Sequence, residues 1–203
     1  MSQIEWDNRL INDIGNDCLA SVDGTDFLFM GRKLKNGKPD KEYYSHKFKT
    51  LALRYEIGIA IRSSKIVWIA GPYKPGIYND IEIFRRPLGL KSMLENGERV
   101  EADDGYMGEC PLHCKCPGSD TSHKNQKKMR ARVRMRHEHV NERMKNYNCL
   151  NVKFRHGATR HGLAVRAIAV LVQLSMDLGE PLMDLDDYDD RMTDQEVKAI
   201  FNL

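Results

Sequence analysis

Between Leu51 and Ile61 (LALRYEIGIAI) apolar and polar positions alternate, the period-two pattern of a strand with a buried face. Arg62, Ser63 and Ser64 separate this run from KIVWIAG, so the two together predict a hairpin. An earlier apolar run from Cys18 to Met30, broken only by DGTD, predicts a strand that ends at a turn. RVEADDGY predicts a short strand running into a turn at Asp103. Helical spacing occurs four times. Ile4, Trp6, Leu10, Ile11 and Ile14 predict a short amphipathic helix within residues 3–16. IEIFRR opens a second helix that should reach about Leu94, with Asp80 as its cap. Residues 125–146 form a long charged helix, and residues 159–178 the most apolar helix, buried and stopped by Gly179 and Pro181. Residues 31–42 and 107–120 read as irregular.

The order is three strands, a helix, a strand and two helices, after a short lead-in. It predicts an α/β protein whose mixed central sheet is flanked by helices on both faces. The 203 residues suit one core, with residues 1–18 as a helical lead-in, 19–182 as the domain and 183–203 as an acidic tail. That tail is expected to be loosely attached, with a terminal helix near Thr193 to Phe201. No apolar stretch follows MSQIEWDNRL, and the longest apolar run, near Leu163 to Leu174, is interrupted by Arg166. A secretory signal and a membrane partner are therefore not expected.

Charge changes the picture. The net charge of +3 hides a basic block from His123 to Lys145, with nine Lys/Arg against two Glu, and an acidic one from Asp177 to Leu203, with nine Asp/Glu against two Lys/Arg. A basic helix suits a polyanion, and nucleic acid is the commonest. The ordinary alternative is a solvated helix face. Five cysteines make an odd count without a secretory context, so reduced thiols are expected. Cys110, His113, Cys114 and Cys116 offer zinc ligand types, but their spacing is not that of a usual zinc knuckle.

The chemistry lies in the carboxylates. Asp23 and Asp103 fall at the ends of the first and fourth expected strands, and would be neighbours if those strands pair in parallel. Glu138 sits on the basic helix, four residues after Arg134 and seven before Lys145. Carboxylates so arranged could hold two Mg²⁺ or Mn²⁺ ions against a phosphodiester, because hard cations need only a few acidic oxygens. Each acid also has an ordinary reading: a turn residue for Asp23 and Asp103, a helix cap for Asp80, an ion pair with Arg134 for Glu138.

Taken with VDGT (Val22–Thr25), SHKF (Ser45–Phe48), LRYEIGIAI, PGIYNDIEIFR, ADDGY (Ala102–Tyr106), RHEHVNERMKN, FRHG (Phe154–Gly157) and GEPL, the chain resembles the catalytic domain of Harbinger/PIF-type DDE transposases. The resemblance spans about Leu19 to Leu182 and is most specific at ADDGY and at the Arg-x3-Glu-x6-Lys spacing. It implies an RNase H-like fold in which Asp23, Asp103 and Glu138 are the catalytic, metal-binding triad. Asp80 would be a fourth ligand or a supporting group. Lys124, Lys127, Lys128, Arg130, Arg134 and Lys145 would hold DNA phosphates without reading sequence. A related bacterial signature carries a Tyr three residues before the Arg; Ala131 stands there in this chain. Longer family members carry an amino-terminal DNA-binding segment. With about eighteen residues before the first strand, that segment is not expected here. The resemblance then implies a separate Myb-like or helix-turn-helix partner, or else a truncated or domesticated derivative that binds DNA or protein without catalysis. A homo-oligomer and a nuclear location are further expectations.

Overall fold

The architecture is that of a computed structural model, which describes residues 4–13, 15, 18–31, 39–119, 124–185 and 187–188, the side chains of 119 and 124–127 excepted. Strand β1 (Cys18–Leu28) is central. It pairs antiparallel with β3 (Thr50–Ala60) and parallel with β5 (Arg99–Glu101). The hairpin partner β4 (Ile66–Tyr73) and the short β2 (Tyr44–Ser45) both pair with β3. β6 (Cys114–Lys115) pairs in parallel with β5, completing a six-stranded mixed sheet.

β1 does not stop at DGTD. Gly24, Thr25 and Asp26 pair with Glu56, Tyr55 and Arg54 of β3, so the ladder continues through the expected turn. The charge this buries is met locally: Arg54 Nε lies 2.8 Å from Asp26 Oδ1, and Ser45 Oγ donates to Asp26 Oδ2 at 2.6 Å.

Side chains of a strand alternate between faces, and the two faces of the sheet carry different layers. Phe27, Tyr55, Ile57 and Ile59 pack against Val140 and Met144 of α2 (Lys124–Lys145) and Val165, Ile168 and Val172 of α4 (Ala158–Asp177). On the opposite face Ala20, Val22, Val100 and Ala102 pack against Phe84 of α1 (Asp80–Phe84), Leu90 and Tyr106. A single-turn helix, α3 (Asn148–Asn151), lies between α2 and α4. Helices thus cover both faces, as the pattern required.

Several elements differ from expectation for physical reasons. The lead-in is a 3₁₀ helix over Trp6–Leu10, with left-handed backbone at Asn12 and Gly15 ending it. It is anchored by Arg9, buried against Glu98 with Nε–Oε1 at 2.7 Å. α1 is capped by Asn79, whose side chain accepts from Glu82 N while Glu82 answers to Asn79 N, leaving Asp80 as the first helical residue. α1 ends at Phe84, two residues short of Arg86-Pro87, and only a 3₁₀ turn at Leu90–Met93 comes after it. α4 buries one stripe only; Leu163 and Leu174 are exposed. β6 lies within the stretch that read as irregular. The start of the tail is docked, with Leu185 and Tyr188 buried, Arg62 donating to both of their carbonyls, and Arg132 paired with Asp187 at 2.5 Å. The helix expected near 193–201 lies outside the described residues. Among the described residues no helix is long and apolar enough to cross a membrane.

Glu56, opposite Gly24, is fully buried and accepts hydrogen bonds from Trp68 Nε1 at 2.9 Å and Tyr106 OH at 3.3 Å. Burial pushes its carboxyl up to about 8, against the pull of those two bonds. As pH rises from about 4, the unfolded chain loses the Glu56 proton while the folded protein keeps it to about 8, so stability should fall across that window. Urea unfolding at a series of pH values should show Glu56→Gln losing less stability than wild type between those limits, by on the order of a few kcal/mol. Identical pH dependence in both proteins would contradict this assignment.

Candidate active site

The register of the parallel pair builds the site. Ser21 is opposite Glu101, so two residues later Asp23, still within β1, and Asp103, just past β5, lie side by side on the face covered by α2. Asp103 does turn the chain: it caps the 3₁₀ helix Asp104–Glu109, its Oδ1 accepting from Gly105 N at 2.9 Å. α2 is held to β1 by His137, whose Nε2 lies 2.8 Å from Ser21 Oγ. Burial keeps that imidazole neutral, pushing it down to about 3. Arg136, also buried, donates to the Ile61 and Ser63 carbonyls at 2.7 and 2.5 Å. These two residues fix the helix and therefore the direction of Glu138, one position on.

The result is a cavity of about 190 Å³ lined by Asp23, Asp103 and Glu138, with Glu101, Arg130 and Arg134 among its other walls. Three acids far apart in the chain thus reach one pocket. Arg130 is buried, donates to the Cys116 carbonyl at 2.9 Å and lies 3.7 Å from Glu101. Arg134 and Glu138 stand exposed at the mouth. Glu101 is steadied in turn by Tyr188 OH at 2.9 Å.

Asp80 reaches the same place from the other face of the sheet. A Cβ on Gly24 would overlap the Asp80 carboxylate, and one on Gly105 would come within 3.5 Å of Asp80 Oδ2 and 2.8 Å of Asp103 Oδ1. Both glycines therefore keep space in which the acids crowd together. Asp80 does not line the cavity; it lies behind Gly24, 3.3 Å from Arg54 Nη1. Its buried Oδ1 has no hydrogen bond.

Crowding shows in the protonation of the acids. Burial pushes the Asp23 carboxyl up to about 6, with Asp103 and Asp80 adding to the shift and Lys47 opposing it. Asp80 is raised by burial and by Asp103, and lowered by Arg54 and Lys47. An excess of half-buried carboxylate oxygens, one of them met by the Arg54 ion pair but by no hydrogen bond, fits a hard divalent cation by its chemistry. The arrangement stops short of a complete cage: among the described residues no three His, Cys, Asp or Glu side chains are placed to hold one ion. Glu138 faces the aspartates across the cavity.

Of the expected phosphate contacts, Arg130 and Arg134 line the pocket, Lys128 is exposed outside it, and Lys145 lies at the far end of α2 over the Phe48 ring. The side chains of Lys124 and Lys127 lie outside the described residues. Ser21 and Glu101 fall just outside the quoted motifs, and Lys47, Arg54 and His137 lie within them without being singled out, because their places depend on strand register and helix packing. The zinc reading is not supported. Cys114 and Cys116 are buried in the apolar layer behind β5, and their thiols are pushed up, Cys114 by burial and Cys116 by its hydrogen bond to Cys110.

No curated protein and no solved structure matches this chain. A family profile, described as DDE superfamily endonuclease, matches residues 22–173, which include all four acids and the sheet they stand on. This fold, consistent with an RNase H-like nuclease, and a match over most of its length place the chain in the DDE superfamily endonuclease family.

Proposed function

We propose that the chain is a metal-dependent DNA endonuclease/strand-transferase of the DDE transposase type, of the Harbinger/PIF kind, acting in the nucleus, with residues 19–182 as the catalytic unit. The observation that supports it is the convergence of Asp23, Asp103 and Glu138 on one cavity walled by Arg130 and Arg134. Asp23 and Asp103 would hold the cations from the sheet, Glu138 from the helix, and Asp80 would serve as a further ligand or as their support. Two Mg²⁺ or Mn²⁺ ions, when bound, supply activation of the attacking hydroxyl and neutralise charge on the leaving oxygen. Arg134 at the mouth and Arg130 in the wall would orient the strand by its phosphates, without choosing sequence. Hydrolysis of one phosphodiester frees a 3′-hydroxyl, which the same pocket could direct at a second DNA. A separate Myb-like or helix-turn-helix protein would then select the DNA ends, and a homo-oligomer would bring two of them together.

A second reading, a domesticated or truncated derivative that binds DNA or protein without catalysis, is favoured by one observation: no three ligands are placed for one ion among the described residues. It expects salt-sensitive DNA binding with no cleavage.

Supercoiled plasmid with Mg²⁺ or Mn²⁺ separates the two. Nicking by wild type should fall more than about a hundredfold in Asp103→Asn and in Glu138→Gln, since even outer partners of a metal are worth about 10–100-fold. Nicking that survives both substitutions would overturn the assignment. A second outcome concerns Gly24. Gly24→Ala should displace Asp80, costing roughly 1–3 kcal/mol in urea unfolding and lowering nicking at the same time. Unchanged stability would show that Asp80 does not rest there.

A further inference from the structure

Past α4 the chain returns to the cavity along residues 182–188, of which 186 lies outside the described residues. This segment begins beyond residue 173, where the family match ends. Leu182 N donates to Ser64 Oγ at 2.8 Å, and Arg62 donates to the Leu185 and Tyr188 carbonyls at 3.1 and 2.9 Å, so the β3–β4 connection carries one side of it. α2 carries the other: Arg132 donates to the Asp184 carbonyl and pairs with Asp187, both at 2.5 Å. Leu185 and Tyr188 are buried in one small apolar cluster with Cys18 and Ile61 at strand ends and Met129 and Val133 of α2.

That cluster adjoins the cavity. Val133 belongs to both, and the Tyr188 hydroxyl reaches Glu101, donating to Oε1 at 2.9 Å. Glu101 is buried in the cavity wall, two residues before Asp103. Its second oxygen, Oε2, lies 3.7 Å from Arg130 Nε, while Arg130 Nη1 donates to the Cys116 carbonyl at 2.9 Å. The order is therefore Tyr188, Glu101, Arg130, cavity, and all three residues are buried. A carboxylate turns easily about its last side-chain bond. An ion pair at 3.7 Å is too long to fix that turn as a hydrogen bond does, so the Tyr188 hydroxyl fixes it.

We propose that Tyr188 is a positioning residue of the nuclease: through Glu101 it sets the place of Arg130 in the cavity wall, which makes the docked tail part of the catalytic unit. This role rests on the endonuclease reading and extends it beyond residue 182. Arg130 orients the strand in that reading, so a guanidinium that drifts costs turnover more than binding. The plainer alternative is that Tyr188 only fills the apolar cluster, in which case its ring matters and its hydroxyl does not.

Tyr188→Phe separates these, because it removes the hydroxyl and keeps the ring in its cluster. Steady-state nicking of supercoiled plasmid in Mn²⁺ should show kcat lowered about tenfold, the lower end of the effect of removing an outer partner at a metal site, with KM for the plasmid within about twofold of wild type. Because the hydroxyl acts through the carboxylate, Tyr188→Phe added to Glu101→Ala should cost nothing further. Wild-type kcat in Tyr188→Phe, a loss carried by KM alone, or single losses that multiply in the double variant would overturn the role of Tyr188 and leave the nuclease reading intact. A wild-type protein that nicks no plasmid overturns both.

Discussion

The parallel pairing of β1 with β5 is the constraint on which the site depends. Ser21 stands opposite Glu101, and from that one register Asp23 and Asp103 come to lie side by side on the same face. A slip of a single residue would turn one of them to the opposite face, toward Tyr106 and Phe84. The register is protected because both strands are buried on both sides: Ala20, Val22, Val100 and Ala102 pack on one face while Ser21 meets His137 on the other. Packing and function share the same residues, so the acids need no special machinery to bring them close.

Holding anions together in a half-buried pocket is unfavourable, and the fold spreads that cost. Asp26 is neutralised by Arg54 and Ser45, Glu101 is satisfied by Tyr188 and Arg130, and Glu56 is kept protonated by its burial. What is left without full compensation is Asp23 and Asp80, whose protons are held more tightly than usual by burial and by their neighbours. A protein shaped by stability alone would replace such groups. Their position, Asp23 within the sheet beneath the basic helix and Asp80 behind Gly24 on the other face, is what a cation and a phosphate together would relieve.

Much of this was legible in the chain, and the limits have physical causes. The alternation in LALRYEIGIAI and the long period of α2 and α4 are strong signals, and those elements fall within a residue or two of expectation. Asp23, Asp103 and Glu138 could be singled out from motifs because each belongs to a compact sequence signature. DGTD misled, since Asp and Gly usually mark a turn, whereas cross-strand pairing and Arg54 keep it extended. Asp80 was a plausible cap, but Asn79 one residue earlier has the capping partner, Glu82, and so frees Asp80 for the site. β6, two residues long, has no pattern of its own and exists only because β5 offers an edge. His137 lies in a quoted motif but was not singled out there; only the packing of α2 on Ser21 gives it a place.

The central claim is that these carboxylates constitute one cation site that closes around its ions. Crystals soaked in Mn²⁺ and measured for anomalous scattering test it most directly. Peaks are expected between Asp23 and Asp103, with an oxygen of Glu138 brought to within about 2.3 Å of a metal. Soaked crystals that show no anomalous peak in the cavity, with Glu138 still on its far side from the aspartates, would contradict it.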